Sequence, residues 1–151
     1  DCLLSRGLGD VYKRQSLFDG IDIDFSNLKI ENVNVNNSLN DCIDFSGGHY
    51  KIVNSNLSNC GDKGISVGEK SLLEIYKTNI FYANTGIASK DSSKTIVESS
   101  NISETKDCLA AYKKKQEFNG GMISIQNSIC RNFKNKKVSD DFSLIQLNQE
   151  L

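Results

Sequence analysis

Along this chain an aliphatic residue returns every 22 positions: Ile21, Ile43, Ile65, Ile87 and Leu109. The residue before each is small (Gly20, Cys42, Gly64, Gly86, Cys108), and two places on come Ile23, Phe45, Val67, Ser89 and Ala111. Within a unit, apolar and polar positions alternate, as in Ile21-Asp22-Ile23 and Ile43-Asp44-Phe45, which is the period of a strand and not of a helix. A fixed period of this length means that each unit buries its apolar face on its neighbours. The pattern predicts an all-β, right-handed parallel β-helix of about five to six coils, each stacked roughly 4.8 Å from the next. The right hand follows from the crossover rule for parallel strands.

Two further registers agree. Val35, Leu57, Ile80 and Ile102 recur at coil spacing, each preceded by an asparagine (Asn34, Asn56, Asn79, Asn101) whose amide can bond up and down the stack. A third apolar strip is expected through Ile30, Ile52, Leu73 or Ile75, and Ile96. The period breaks after Leu109: Ile102 to Ile129 is 27 residues, so 111–121 is expected to be a loop, with Gly120-Gly121 as its return turn. Strand alternation resumes at Met122–Ile125 and again at Phe142–Leu147. No terminal cap is evident, so the ends are expected to present sheet edges.

Residues 5–15 read SRGLGDVYKRQ, the translation of one frame of a transposase-based sequencing adapter. Residues 1–15 are therefore set aside as a non-native segment, and 16–151 are taken as one β-helix domain whose natural start is expected to be missing.

Composition alters the picture little. The 151 residues carry 18 Lys and Arg against 19 Asp and Glu, a balance that indicates no nucleic-acid partner, and no apolar run is long enough to span a membrane. The charges are unevenly placed. Acids prevail from Ser16 to Asp62, and bases (Lys113, Lys114, Lys115, Arg131, Lys134, Lys136, Lys137) prevail from Cys108 to Lys137, so the two ends of the stack should differ in sign. Cys42 and Cys108 share a phase but lie three coils apart, roughly 14 Å, too far for a disulfide. Cys60 and Cys130 fall in other phases, and all four are read as unpaired packing residues without a metal cluster.

The chemistry-bearing constellation is acidic. Asp19 and Asp41 precede the anchor residue in adjacent coils, and Asp22 and Asp44 follow it, pointing outward by strand parity. Same-phase carboxylates one coil apart, roughly 5 Å, share a proton or a cation such as calcium, or serve as the acid and base of glycoside hydrolysis. Solvated surface aspartates account for the same residues. His49 follows Gly47-Gly48 in a turn and reads as surface.

The segments Asp19-Gly20-Ile21-Asp22-Ile23, Asn40-Asp41-Cys42-Ile43, Gly61-Asp62-Lys63-Gly64-Ile65 and Gly86-Ile87-Ala88-Ser89-Lys90 resemble successive coils of polygalacturonases, pectin-hydrolysing enzymes of the pectin-lyase-like superfamily. The similarity runs from Phe18 to Asp91. It implies a right-handed β-helix of bacterial type, exported or at the cell surface, with Asp19, Asp41 and Lys90 as catalytic candidates. Three positions depart from the family: Asn40 stands at the general acid, Lys63 at the histidine and Ala88 at the substrate-binding arginine. Without a proton donor that hydrolysis does not run. The expected function is a non-catalytic carbohydrate-associated or structural module of a larger exported protein, with a polysaccharide and other domains of the same chain as partners. Asp22, Asp44, Lys63, Lys113, Lys114 and Lys115 are its candidate substrate-binding residues. The alternative is a lyase or hydrolase of acidic polysaccharide acting through the face of Asp19, Asp41 and Asp44, the lyase with calcium on Asp22 and Asp44 and Lys63 or Lys90 as base; no other cofactor is expected.

Overall fold

Alternating β-branched residues form short strands here because their branched side chains fill pleated faces stacked on identical faces above and below. The computed structural model describes residues 11–13 and 16–148. The first coils hold β1 (Val11–Lys13), β2 (Ile21–Asp24), β3 (Asn27–Glu31), β4 (Val33–Ser38), β5 (Ile43–Ser46) and β6 (His49–Val53). Then come β7 (Asn56–Gly68), β8 (Leu72–Tyr76), β9 (Asn79–Lys90), β10 (Lys94–Glu98), β11 (Asn101–Tyr112), β12 (Met122–Gln126), β13 (Ile129–Ser139) and β14 (Leu144–Leu147). The chain is a right-handed parallel β-helix of about six coils.

Each coil has three segments. The first is β2 or β5, or the second half of a longer strand; the second is a member of the ladder β3–β6–β8–β10–β12–β14. The third is β1, β4 or the first half of a longer strand. In β7, β9, β11 and β13 the third segment of one coil runs through a bend into the first segment of the next, so these strands pair along both arms. Of the segment set aside as non-native, Val11–Lys13 pairs with β4, and the rest lies outside the described residues.

The 22-residue column is the core. Ile43, Ile65, Ile87 and Leu109 are fully buried and stand in register, and Ile21 heads the column partly covered. Each fully buried side chain of this kind stabilises by roughly 1.5–3 kcal/mol. Val35, Leu57, Ile80 and Ile102 form a second buried column. The third strip needs correction at one residue. Ile52, Ile75, Val97 and Ile125 are in register and buried, whereas Ile96 faces solvent opposite Glu74. Thr95-Ile96-Val97 is β-branched throughout, and the pleat sets the two outer members of the triplet inward.

The corners explain the asparagine content. One corner places Asn32, Asn54, Lys77, Ser99 and Asn127 in the left-handed region, with φ between 48° and 56°. A second does the same with Asn37, Asn59, Tyr82, Glu104 and Asn132. Asparagine tolerates this conformation best among side-chain-bearing residues. Directly after the first corner a hydroxyl recurs, buried at Ser55 and Ser100 and partly buried at Ser128. Ser55, Ser100 and Ser128 accept the backbone N–H of the preceding coil at 3.2, 3.1 and 3.0 Å and donate to the carbonyl two residues back, which satisfies backbone groups at the bend.

The reading of the cysteines is overturned. Cys42 is bonded to Cys60, with Cα atoms 5.2 Å apart, and Cys108 to Cys130 at 6.2 Å. Both bonds cross the interior of a single coil, so the distance between coils along the axis does not bear on them. At Gly64 an added Cβ would lie 2.3 Å from Ile80 Cγ2, and at Gly86 2.4 Å from Ile102 Cγ2. The small position therefore abuts the second aliphatic column. Cys130 takes the place of Ile102 one coil on, so Cys108 faces it directly. The ring so closed, between cysteines 22 positions apart, contains the segment 113–121, which follows β11 and carries no strand.

Candidate functional site

The site is assembled at the bend between the third and first segments. Asp19 Oδ1 accepts from the Asp41 backbone N–H at 2.9 Å and from Asn40 Nδ2 at 2.8 Å. One coil on, Asp41 Oδ1 accepts from the Lys63 N–H at 3.0 Å and from its ammonium at 3.3 Å. Same-phase carboxylates thus cap the backbone of the following coil. Lys63 Nζ also pairs closely with Asp62, whose Oδ1 accepts from Asn84 Nδ2 at 3.3 Å.

Beside this corner the outward positions of the first segment stand in register: Asp22, Asp44, Ser66, Ala88 and Ala110. Although they face away from the core, Ser66 and Ala88 are fully buried. Lys90 helps to cover them. Its stem passes over Gly68, where an added Cβ would lie 3.1 Å from Lys90 Cε, and its ammonium stands 4.0 Å from Asp44 Oδ1. Asp44 Oδ1 and Ser66 Oγ have no hydrogen-bond partner. The result is a polar layer outside the solenoid, with Asp41, Asp44 and Asp62 against Lys63 and Lys90.

Its electrostatics follow from burial and charge. Burial raises the pKa of Asp41, and Lys63 only partly offsets this. For Asp62 burial acts upward too, but the hydrogen bond and charge of Lys63 outweigh it and the carboxyl titrates below its ordinary value. Burial works against the Lys63 ammonium, yet its hydrogen bond to Asp62 and the charges of Asp41 and Asp62 carry the net shift upward. Burial likewise raises Tyr112, against the pull of Lys63. Asp22 is raised by burial and by Asp24, Asp44 and Asp19 around it.

The structure brings Asp19, Asp41, Asp44, Lys63 and Lys90 together and sets Asp22 beside Asp44. It does not bring in the lysine triplet. The backbone N–H groups of Lys114 and Lys115 donate to Asp91, Lys113 N donates to Asp140, and the Lys115 ammonium pairs with Glu69. His49 opens β6 and is exposed. Among the described residues no group of three or more His, Cys, Asp or Glu side chains is placed to hold a metal ion. Sequence reasoning missed Asp62, Ser66 and Tyr112. Ser66 could have been found by carrying the Asp22–Asp44 column one coil further, and Tyr112 by carrying Lys90 one coil on.

Residues 19–142 match a protein-family model described as a right handed beta helix region. The chain belongs to this right-handed β-helix family. No curated protein and no solved structure matches it. At the corner the Asn40 amide donates to Asp19, and the Lys63 ammonium pairs with Asp41. No helix of the described residues is long and apolar enough to cross a membrane.

Proposed function

We propose that this β-helix is a non-catalytic, carbohydrate-associated module of a larger exported protein, at the cell surface or outside the cell. One observation carries the non-catalytic part. Both candidate catalytic carboxylates are engaged through Oδ1, Asp19 by the Asp41 N–H and Asn40, and Asp41 by the N–H and ammonium of Lys63. A general acid needs a proton to give and a path to the leaving group. Asp41 is 3 % exposed and accepts both bonds. Export is supported by the two disulfides, which persist in oxidising compartments. The carbohydrate part rests on the likeness of its coils to those of pectin-degrading enzymes.

A second reading, hydrolysis or elimination on an acidic polysaccharide, draws on the raised pKa of Asp41 beside Lys63. Incubation with polygalacturonate and with neutral polysaccharides separates the two. The proposal expects retention on a polysaccharide and no new reducing ends or unsaturated products. Reducing ends that vanish in Asp41→Asn would establish the enzyme instead. Absence of retention on every polysaccharide would leave a structural role alone.

A further inference from the structure

The outer face of the third segments is not part of the site just described, and it has a different chemistry. Val35, Leu57, Ile80 and Ile102 point into the core, so their neighbours point out. Those outward positions read Asn34 and Asn36 on β4, Asn56 and Ser58 on β7, Asn79 and Phe81 on β9, Asn101 and Ser103 on β11. None is charged. The outer face of the second segments, by contrast, carries the pairs Lys29–Glu31 and Lys51–Glu74.

The asparagines form a continuous ladder. Asn56 Nδ2 donates to Asn34 Oδ1 at 3.0 Å, Asn79 to Asn56 at 2.8 Å and Asn101 to Asn79 at 3.0 Å. The ladder consumes one N–H and one lone pair of each inner amide. A second N–H and a second lone pair remain on each, fixed in direction and repeated at the strand spacing of about 4.8 Å. A flat row of alternating donors and acceptors without charge suits a neutral polyhydroxylated polymer laid along the solenoid axis. A β-1,4-linked pyranose chain advances by roughly one coil per sugar.

An independent feature lies beside the ladder. Phe81 and Tyr82 pack edge to face with ring centroids 5.6 Å apart, and Tyr82 is 56 % exposed. Tyr82 occupies the left-handed corner, φ 58°, where matching coils place Asn37, Asn59, Glu104 and Asn132. A bulky side chain in that conformation is strained, and such strain is found where a residue serves binding. Exposed aromatic rings beside oriented amides are the two halves of sugar recognition: the ring takes the C–H face of a pyranose and the amides take its hydroxyls.

We propose that a neutral β-linked polysaccharide binds along the Asn34–Asn56–Asn79–Asn101 ladder, stacking on Phe81 and Tyr82. This rests on the carbohydrate-associated reading above and gives it a surface and a ligand class. The test is titration calorimetry with cello-, xylo- and mannohexaose, and with polygalacturonate as the charged comparison. The variant is Phe81→Ser with Tyr82→Asn, which installs residues that neighbouring coils already hold at these positions, Ser58 and Asn59. At least one neutral hexasaccharide is expected to bind, and the double variant to weaken it tenfold or more with a thermal midpoint equal to or above wild type. Should the double variant fold poorly, Tyr82→Asn alone is expected to weaken binding at least threefold and to melt higher. Unchanged affinity in the folded variant, or binding of polygalacturonate alone, would overturn this surface while leaving the carbohydrate reading standing. No binding of any of the four would overturn both.

Discussion

Aspartates on either side of the anchor residue meet opposite fates according to which way the backbone turns them. Asp19 and Asp41 turn toward the corner and cap the next coil. Asp22 turns outward among Asp24, Asp44 and Asp19. Burial and those neighbours raise its pKa, so the folded chain holds the proton more readily than the unfolded chain does. Ionised Asp22 therefore subtracts stability at pH values above its folded pKa. That penalty shrinks as the pH falls through this pKa towards the unfolded value. Asp22→Asn is expected to stabilise by about 0.5 kcal/mol at pH 7, a figure kept small by solvent screening. The gain should disappear below the ordinary value of 3.8. Urea midpoints of both proteins at the two pH values check this, and a gain that persists in acid would refute the electrostatic cause. The adjacency of these carboxylates was legible from spacing. Their capping role was not, because it depends on corner residues with positive φ, whose sign the residue types only hint at. Asparagine announces Asn54 and Asn59, but nothing in Lys77 or Tyr82 does.

A coil is closed by what crosses its interior, and a period along the chain carries no information on that. The columns headed by Ile21 and Val35 could be read from the sequence because each repeats along the axis. The pairs Cys42–Cys60 and Cys108–Cys130 could not, since each joins two phases within one turn. Ile96 shows the same limit on a smaller scale: three consecutive β-branched residues leave strand parity undetermined until Val97 is set against Ile75. The second disulfide closes a ring containing the irregular segment 113–121, whose backbone is held at Lys113, Lys114 and Lys115 by Asp140 and Asp91. A crosslink over a ring of this size restricts the unfolded chain by about 3 kcal/mol. Replacing Cys108 and Cys130 together by serine is expected to lower stability by that order. Hydrogen exchange should show protection lost first in β11, β12 and β13 and kept in β5 through β9. Uniform loss across all coils would mean that the solenoid unfolds as one unit and that the bridge has no local role.

At the scale of the whole stack, each coil buries its apolar face on its neighbours, and among the described residues β13 has a neighbour on one side only. In β13 the core column ends: Lys137 stands in register with Leu109, and Arg131, Lys134, Lys136 and Lys137 are all exposed. Among the described residues β13 pairs with β11 alone, so one side of an eleven-residue strand offers unpaired backbone groups. Such an edge invites pairing with another chain, and lysines on an edge strand oppose it by repulsion and by the cost of desolvating them. The basic bias of this region was legible from the sequence. Its place in β13, with Lys137 in register with the core column at Leu109, was not, since the 22-residue period is lost over 113–121. Lys134→Thr with Lys136→Thr and Lys137→Thr keeps strand propensity and removes the charges. The variant is expected to self-associate at concentrations where wild type sediments as a single species. Wild type itself should associate more as salt screens the remaining repulsion. Sedimentation velocity across a concentration series at low and high ionic strength measures both. A variant that stays monodisperse throughout would show that something other than these charges keeps the edge from pairing.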